Sequence, residues 1–480
     1  MRTRLLVIGL SALLCACTLA PRYETPSSPP VAAYKEAGDW MPAAPADAQP
    51  RGAWWEPFAD PKLNELELAL QAGSQDLRVA VARYEQSRAI SRRAFSDVFP
   101  TVDAAGSAVR GSTSANAPRS GGVSTPGNDY SAALDFAWEI DLFGRLRSAS
   151  HAAHSRAQAS AGDYAAVELA LEAELAQDYF SLRGADATAR LLDDSVKAYD
   201  RAFELTRNRY HGGIAAATDV DQAETQRQNA RAQLASVQLE RAQLEHAIAV
   251  LLGQPPGNFT LEAADFTGEP PAIDAGLPST LLQRRPDVAS AERAVAAANA
   301  EIGVARAAWF PVFSFGAVGG YEATSSQAWF EAPSRFWAAG PAAVIPLLDA
   351  GGRHAGNKQA RAAFDEAVAH YRQSALVAYQ EVEDNLAALR LLAAELKADE
   401  AAAASAQRSA YHADKRYAAG VADYIEVTST QTAALQAQRS ALDARVRRMN
   451  AAVALVRALG GGWTAQELDH PALVDKGAGE

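Results

Sequence analysis

The sequence predicts a mainly α-helical protein with embedded membrane-type β-strands, built as a duplicated helix–strand–strand–helix repeat. Three observations predict this class. Short landmarks recur at a nearly constant offset, residues 130–141 alternate between apolar and polar side chains, and no proline occurs from 127 to 254 or from 347 to 470. Proline disrupts helix interiors, so its absence over such lengths favours long helices.

The duplication is carried by four landmarks. Their pairs are Phe99-Pro100 with Phe310-Pro311, Asp141-Gly144-Arg145 with Asp349-Gly352-Arg353, Tyr210-Gly213 with Tyr417-Gly420, and 251–253 with 458–460. The offsets are 211, 208, 207 and 207 residues, so the copies differ chiefly in the loop between the first two landmarks. Four landmarks in register indicate an internal repeat, in which each copy forms one supersecondary unit.

Residues 130–141 predict the clearest strand. Leu134, Phe136 and Trp138 share one face, and the polar side chains share the other, which is the period of two expected for a strand. About ten residues is the length of a tilted transmembrane strand. Pro100 and Pro311 mark the change from helix to strand, because proline disfavours helix at the preceding residue. The fourth strand alternates poorly and is assigned from its repeat twin.

Each strand pair is followed by a long helical hairpin. Apolar residues recur at steps of three and four from Tyr164 to Leu182 and again from Val368 to Leu389, which is the stripe of a packed helix. The glycine-containing segments with Gly213 and Gly420 predict the turns at which each helix reverses. From Arg147 to Tyr210 the first helix of the hairpin would extend roughly 96 Å at 1.5 Å per residue.

The N-terminus predicts a secretory signal. Arg2 and Arg4 precede an apolar run of roughly ten residues, which is too short for a transmembrane helix. Leu14-Cys15-Ala16-Cys17 looks like a bacterial lipobox, in which Cys17 becomes the lipidated first residue of the mature chain. An ordinary signal peptide with two incidental cysteines is the alternative. The residue after Cys17 is Thr18 rather than Asp, which favours the outer membrane.

The remaining sequence offers no catalytic, metal or cofactor site. A net charge of −12 and a pI near 5.3 argue against binding to nucleic acid. His151 and His154 have helical spacing but lack further ligands, so a solvated helix face explains them better. The segment 351–358 imitates a phosphate loop but has Asn357 where the lysine is required. We therefore expect a protein that is not an enzyme.

Four strands cannot close a membrane barrel, and an open sheet edge is not tolerated in a bilayer. If these strands cross a membrane, they must join strands from other copies. Two protomers would give eight strands and three would give twelve. The residues alone do not decide between two protomers and three.

The order of motifs resembles the TolC-like outer-membrane factors, in particular the OprM/NodT lipoprotein branch. The motifs are "CTLAPRYETP", "WWEPFADPKLNEL", "RRPDVASAE", "FP" twice, "WEIDLFGR", "RYHGGI" and "RYAAGV". The resemblance covers the chain from Cys17 to about Trp463. It implies a homotrimer with a 12-stranded β-barrel in the outer membrane (four strands per protomer), in contact with its lipid and continued by a long periplasmic α-barrel.

This resemblance also implies a function and partners. Such proteins are passive exit ducts of tripartite efflux systems for drugs or other small molecules. They dock to a periplasmic membrane-fusion adaptor and an inner-membrane pump, often of the resistance-nodulation-division (RND) type, and they use no cofactor. A periplasmic coiled-coil lipoprotein acting as adaptor or scaffold is the alternative, which leaves the duplicated strand pairs unexplained.

The resemblance further implies a gate at the hairpin turns. The matching residues are Tyr210, Gly213, Asp219, Tyr417, Gly420, Asp423 and Glu426. Three copies of a carboxylate around an axis would hold cations and select against anions. Family members commonly have an Asp nine residues after the second glycine, where this sequence has Ser429, so Asp423 or Glu426 would have to form the ring. Solvated acids at a helix start are the alternative.

A further hypothesis concerns Asp141-Gly144-Arg145 and Asp349-Gly352-Arg353. We interpret both as junctions between strand and helix, with the glycine at the bend and an Asp141–Arg145 ion pair bracing it. The expected domains are a signal peptide (1–16), a lipidated N-terminal arm (17–62), repeat 1 (63–253), an equatorial linker (254–286), repeat 2 (287–460) and a C-terminal tail (461–480). Repeat 1 holds strands near 100–110 and 130–140 and a hairpin at 147–252, and repeat 2 holds strands near 311–321 and 335–346 and a hairpin at 353–459.

Overall fold

A computed structural model describes residues 19–27, 33–37, 53–112, 114, 116, 126–266, 268–273, 284–469 and 471. Cys17 therefore lies outside the described residues. The helices are α1 (Pro61–Gly73), α2 (Gln75–Ser96), α3 (Arg145–His211), α4 (Ala217–Leu251), α5 (Pro286–Ala307), α6 (Gly352–Ala418) and α7 (Tyr424–Ala458). The strands are β1 (Thr101–Ser112), β2 (Pro126–Ile140), β3 (Val312–Ala323) and β4 (Arg335–Val344).

The lengths of the long helices repeat. Both α3 and α6 contain 67 residues, and both α4 and α7 contain 35 residues. Each copy thus follows a strand pair with the same helical hairpin. This agreement in length accords with a duplicated architecture, because independent helices have no reason to match.

The four strands form one antiparallel sheet in the order β1-β2-β3-β4. The register places Leu134 opposite Ala104 and Gly319, and Phe136 opposite Val102 and Ala317. Directly opposed residues share a face of the sheet. The apolar parity of β2 therefore continues across its neighbours and gives the sheet one apolar face.

Prolines lie where the sheet tolerates them. Pro100 and Pro311 each precede the first residue of a strand, β1 and β3 respectively. Pro341 lies inside β4, opposite Phe315. Because β4 is an edge strand within this chain, a residue without a backbone donor is accepted there. β2 begins at Pro126, earlier than its alternating part, because residues 126–129 pair with the end of β1.

The first helical stretch is interrupted. Ser74 adopts an extended backbone (ψ 126°) and separates α1 from α2. α1 begins at Pro61, and the Asp60 side chain caps it by accepting hydrogen bonds from the Lys62 and Leu63 amides at 2.9 and 3.2 Å. The break at Ser74 was not predicted.

The chain divides into two compact units. The first comprises Glu85–Ser160 and Ala291–Tyr371 with the segment up to Ser27, in their described parts, and contains the sheet. The second comprises Ser28–Tyr84, Ala161–Ser290 and Arg372–Glu480, again in their described parts. Each unit draws on both repeats, so neither is a contiguous piece of sequence.

Small residues allow close packing in the second unit. A Cβ at Gly162 of α3 would lie 2.8 Å from the carbonyl oxygen of Pro286. Buried alanines such as Ala173 and Ala176 have the same effect along α3. The high alanine content therefore serves helix–helix contact rather than a thick core. Among helices of the described residues, none combines the length and hydropathy needed to cross a bilayer.

Gly253 and Gly460 end the two hairpins and give the first testable prediction. Both have positive φ (71° and 90°), and an added Cβ would lie 2.2 Å from the Gly73 oxygen or 2.1 Å from the Arg284 oxygen. The left-handed backbone alone costs about 1–2 kcal/mol for alanine, and the clash adds to it. We expect Gly253→Ala and Gly460→Ala to lower the midpoint of thermal unfolding strongly or to prevent assembly.

The matched control is Gly257→Ala. No atom lies within 4 Å of a Cβ added at Gly257, and its φ is not in the left-handed region. This variant should unfold within a few degrees of the wild type. Equal midpoints for Gly257→Ala and Gly460→Ala would contradict the prediction.

Candidate functional site: hairpin turns and strand–helix junctions

The two hairpin turns have the same backbone structure. Gly213 and Gly420 have φ of 73° and 76°. In the first turn the Ile214 amide donates to the Arg209 oxygen at 2.8 Å, and in the second the Val421 amide donates to the Arg416 oxygen at 3.0 Å. These bonds satisfy carbonyls that a helix end leaves without partners.

Side chains at the turns break this symmetry. Tyr417 is buried with Tyr424, and their ring centroids lie 5.3 Å apart. Ala223, Ala413 and Val427 complete the cluster. Tyr210, the repeat twin of Tyr417, has 45% of its surface exposed. The second hairpin therefore packs its tyrosine within the chain, and the first presents its tyrosine outward.

Arg209 links the two hairpins. Its guanidinium donates to the carbonyl oxygens of Tyr417 and Ala418 at 3.1 and 3.2 Å. The same group lies 4.6 Å from the centroid of the Tyr417 ring, in cation–π geometry. A side chain from the first repeat thus caps the last carbonyls of α6 in the second. Arg416, its twin, instead binds Glu426 at 2.6 Å.

The candidate gate acids have different environments. Asp219 accepts a hydrogen bond from the Ala216 amide at 3.2 Å, at the start of α4. Glu426 is held by Arg416, and the Ser429 hydroxyl donates to the Glu426 backbone oxygen at 3.0 Å. Asp423 is exposed at the N-cap of α7 and makes no capping bond with its side chain. Of these acids, Asp423 is the most open to solvent.

At the first junction the predicted Asp141–Arg145 ion pair is wrong. Arg145 makes a bidentate contact with Glu139, at 2.9 and 2.7 Å. Asp141 accepts from the backbone amide and the side chain of Arg147, at 2.9 and 3.3 Å. Asp141 does not pair with Arg145 because its carboxylate accepts a hydrogen bond from the Arg147 amide in the first turn of α3. Two interleaved pairs, rather than one, brace the junction at Gly144 (φ 74°).

The second junction keeps the ion pair but moves the bend. Arg353 binds Asp349 at 2.8 Å, and these hydrogen bonds hold the pKa of Asp349 below its usual value. The positive φ values lie at Ala350 (51°) and Gly351 (92°), whereas Gly352 is the first residue of α6. The expected bend at Gly352 is therefore wrong by one residue, because the helix begins earlier in this copy.

Both strand–helix junctions contact the aromatic residues around the second Phe-Pro motif. Phe143 of the first junction stacks on Phe310 of the second Phe-Pro motif, with centroids 4.6 Å apart. Arg353 lies 4.9 Å from the centroid of the neighbouring Trp309 ring. These contacts give the aromatic residues before Pro311 a packing role at the junctions. No group of three or more His, Cys, Asp or Glu within the described ranges is arranged to hold a metal ion.

The sequence matches a family whose model is described as outer membrane efflux protein, over residues 67–254 and 277–461. The chain belongs to the outer membrane efflux protein family. The two matched segments correspond to the two repeats. Membership supports transport rather than catalysis, and it rules out the alternative of a periplasmic adaptor or scaffold.

This efflux protein is similar to named relatives over nearly its whole length. It is 33% identical over 472 residues to the toluene efflux pump outer membrane protein TtgC of Pseudomonas putida, covering 97% of both chains. It is 30% identical over 465 residues to the cation efflux system protein CusC of Escherichia coli, covering 96% of this chain and 99% of the other. The solved structure of the outer-membrane channel OprN is 31% identical, has a TM-score of 0.85, and is matched over 93% of this chain and 100% of that one.

These findings establish the function at the level of the pump component. The protein is an outer-membrane efflux channel of the TolC-like fold, located in the outer membrane and extending into the periplasm. The recognition of the family, the fold class and the localisation are confirmed. The roles of individual gate and junction residues stay predictions.

Two features of the efflux channel were missed from the sequence. Arg209 carries no signal, since its twin Arg416 is likewise followed by a tyrosine but has a different partner. Glu67 had a signal that was overlooked, because it lies on the apolar stripe of α1 with Leu63, Leu66 and Leu70 and is fully buried. An acid at such a position is expected to be unusual.

Proposed function

We propose that three copies of this chain close a 12-stranded barrel that serves as the passive exit of a tripartite efflux system. The observation that carries the proposal is the open four-stranded sheet with one apolar face. Its outer strands β1 and β4 each have an edge that pairs with no other strand among the described residues. A bilayer penalises such edges by several kcal/mol per unsatisfied group, so β4 of one copy pairs with β1 of the next. Three copies are favoured over two by the resemblance to the family.

Asymmetry of the hairpin turns supports the same assembly. Tyr210 and Ile214 of the first turn are exposed, while the equivalent Tyr417 is buried against its own chain. An exposed apolar surface of this kind marks a contact with another protein. We propose that the outward face of the first hairpin packs against the neighbouring protomer. Contacts within one chain, at Tyr417, would then alternate around the duct with contacts between chains, at Tyr210.

We further propose that the hairpin turns form the resting gate. Tyr210, Asp219, Tyr417, Asp423 and Glu426 are the candidates, with the turns set by their glycines. Threefold symmetry would bring Asp423 and Glu426 towards the axis as acidic rings. Because Glu426 is already neutralised by Arg416, Asp423 is the better candidate for a cation-holding ring.

The partners follow from the pump architecture. A periplasmic membrane-fusion adaptor docks at the exposed apolar tip of the second hairpin, where Val421 and Ile425 lie. An inner-membrane pump, of the RND type, loads the duct. The named relatives export chemically different compounds, toluene and cations. The choice of substrate therefore belongs to the pump, and we assign small molecules as the cargo class.

The experiment measures mass and conductance of the purified full chain. In detergent, we expect a particle with a protein mass close to three times that of the chain, which is 50.7 kDa before processing, and heat-modifiable migration on gels. In planar bilayers, we expect ion-conducting events. A monomer that is soluble without detergent and does not conduct would contradict the proposal, and a conducting dimer would contradict the number three.

A second measurement addresses the adaptor. A photoreactive residue placed at Val421 or Ile425 should capture an adaptor in cells, whereas one at exposed Leu239, on the side of α4, serves as the control. Equal capture at all three positions would remove the tips as the docking surface.

A further inference from the structure

The strand–helix boundary of the first unit carries an excess of positive charge. The strands are antiparallel, so α2, α3, α5 and α6 all meet the sheet at the same end. The segments at this end, called the basic collar, are 88–99, 139–149, 303–312 and 345–358. They contain eight Lys or Arg and four Asp or Glu, although the whole chain carries −12. At the opposite end of the sheet, the described residues of segments 110–130 and 322–336 contain two Lys or Arg and three Asp or Glu.

Three of the four acids of the collar are already engaged in ion pairs. Glu139, Asp141 and Asp349 bind Arg145, Arg147 and Arg353 respectively, in the pairs described above. The fourth acid, Asp97, is exposed and forms no ion pair among the described residues. The excess positive charge therefore falls on other side chains.

Three of those side chains are exposed and without an ion pair among the residues that the structure describes. They are Arg92 and Arg93 in the last turns of α2, and Lys358 in the second turn of α6. An unpaired exposed cation is ordinary when it stands alone. Here three such cations lie near the same end of the sheet, in a chain whose net charge is −12.

Exposed apolar side chains lie beside these cations. Phe95 and Phe99 follow Arg92 and Arg93, and their rings lie 5.2 Å apart at the surface. On the other edge of the sheet, Leu347 and Leu348 precede α6 and are 86% and 92% exposed. Apolar groups next to basic ones are the composition of surfaces that bind a membrane interface.

If the sheet spans the bilayer, as proposed above, the cations lie near the depth of the lipid headgroups. Arg93 is three residues from the end of α2 and Lys358 is six residues after the start of α6. At 1.5 Å per residue these positions are roughly 5 and 9 Å from the ends of the helices. The polar layer of a bilayer is about 5–7 Å thick on each side, and these side chains are long enough to reach it.

We propose that Arg92, Arg93 and Lys358 form a binding surface for the phosphate headgroups of anionic phospholipids in the periplasmic leaflet. The inference rests on the proposed trimer, because the complete site is formed by two neighbouring copies. When β4 of one copy pairs with β1 of the next, the end of α2 and the start of α6 from neighbouring copies come together. The three cations then form one composite site at each seam, with the exposed Phe and Leu side chains among the acyl chains.

The test compares two triple variants of the full chain. Arg92→Gln, Arg93→Gln and Lys358→Gln remove the proposed site. Arg201→Gln, Lys397→Gln and Arg408→Gln remove the same charge from exposed helix positions in the second unit and serve as the control. Each protein is placed in nanodiscs of phosphatidylethanolamine with or without phosphatidylglycerol. Bound phosphatidylglycerol is then quantified by mass spectrometry of the released trimer.

We expect the collar variant to retain about tenfold less phosphatidylglycerol, since basic side chains near a membrane surface attract anionic lipid. The control should retain wild-type amounts, and inorganic phosphate should not compete. Equal retention in both variants, or full competition by inorganic phosphate, would overturn the proposal. A collar variant that falls apart in neutral lipid would show that these cations bind the neighbouring protomer instead. If the wild type were not a trimer, the proposed assembly would fail separately, because oligomeric mass is measured in the same spectrum.

Discussion

Replacing Glu67 by glutamine is expected to stabilise the protein at pH 8 and to change little at pH 5. Glu67 is fully buried, and neither carboxylate oxygen has a hydrogen-bond partner among the described residues. Burial, and then repulsion from Glu172, raises the pKa of Glu67 from 4.5 to about 10. The folded protein therefore keeps a proton on Glu67 at neutral pH.

The sign of the pH dependence follows from this proton. The folded pKa lies above the unfolded one, so the stabilising contribution is fully present below about pH 4.5 and is lost progressively as the pH rises towards 10. Each pH unit in this window lowers the free energy of unfolding by about 1.4 kcal/mol for one group. Allowing for relaxation of the site, Glu67→Gln should gain on the order of 2–4 kcal/mol between pH 5 and pH 8.

Two neighbouring acids contribute in the same direction. Burial raises the pKa of Glu168 to about 8 and of Glu172 to about 7. Glu172 remains partly compensated, because it accepts hydrogen bonds from the Trp54 and Gln71 side chains, both at 2.9 Å. The slope of stability against pH should therefore become shallower in Glu67→Gln without vanishing.

The measurement is the apparent unfolding midpoint of the detergent-solubilised protein, followed by circular dichroism from pH 5 to pH 9. Glu65→Gln is the matched control, since Glu65 is exposed on the same helix and pairs with Lys62. Parallel pH profiles for the wild type and Glu67→Gln would show that Glu67 is not the group that holds the proton.

Replacing Arg209 by alanine is expected to open the resting duct. The guanidinium ties the first hairpin to the carbonyl oxygens of Tyr417 and Ala418 and stacks on the Tyr417 ring. A hydrogen bond from a charged group contributes about 1.5–3 kcal/mol. A loss of about 2 kcal/mol from the closed state would shift the open–closed equilibrium roughly 30-fold.

Glu426→Ala should have a smaller effect. Its ion pair with Arg416 is exposed, and such pairs contribute about 0–1 kcal/mol. The Asp423 side chain makes no hydrogen bond or ion pair with the residues that the structure describes, so any change in Asp423→Ala would report on the proposed acidic ring. We therefore expect Arg209→Ala to raise the open fraction of the duct more than Glu426→Ala does.

Single-channel conductance in planar bilayers measures the open fraction. Sensitivity of cells to a large hydrophilic antibiotic, which the outer membrane otherwise excludes, provides a second readout. Arg201→Ala is the control, because Arg201 is exposed two turns earlier on the same helix. Arg209→Lys should open the duct partially, since lysine keeps the charge but cannot form the same fork. A closed duct in Arg209→Ala together with an open duct in Glu426→Ala would show that the acidic residues, and not Arg209, hold the duct closed.

Local periodicity explains how much of this architecture the sequence predicted. Alternation in 130–141 and the stripes from Tyr164 and Val368 are properties of one segment at a time, so strand and helix follow without knowledge of neighbours. The break at Ser74 escaped although Gly73 directly before it can end a helix, because a single glycine inside a helical pattern is often tolerated. The bend of the second junction was misplaced for a similar reason, since two adjacent glycines both permit it.

By itself, the sequence determined the duplication, the strand pairs and the long hairpins, because repeats and periods are written along one chain. Only the tertiary structure decided which member of each twin pair is buried and which partner each charge takes. Tyr417 is covered and Tyr210 is not, and Asp141 binds Arg147 while Asp349 binds Arg353. The physical reason is that two similar repeats pack against each other in one chain, and that packing gives equivalent residues different surroundings.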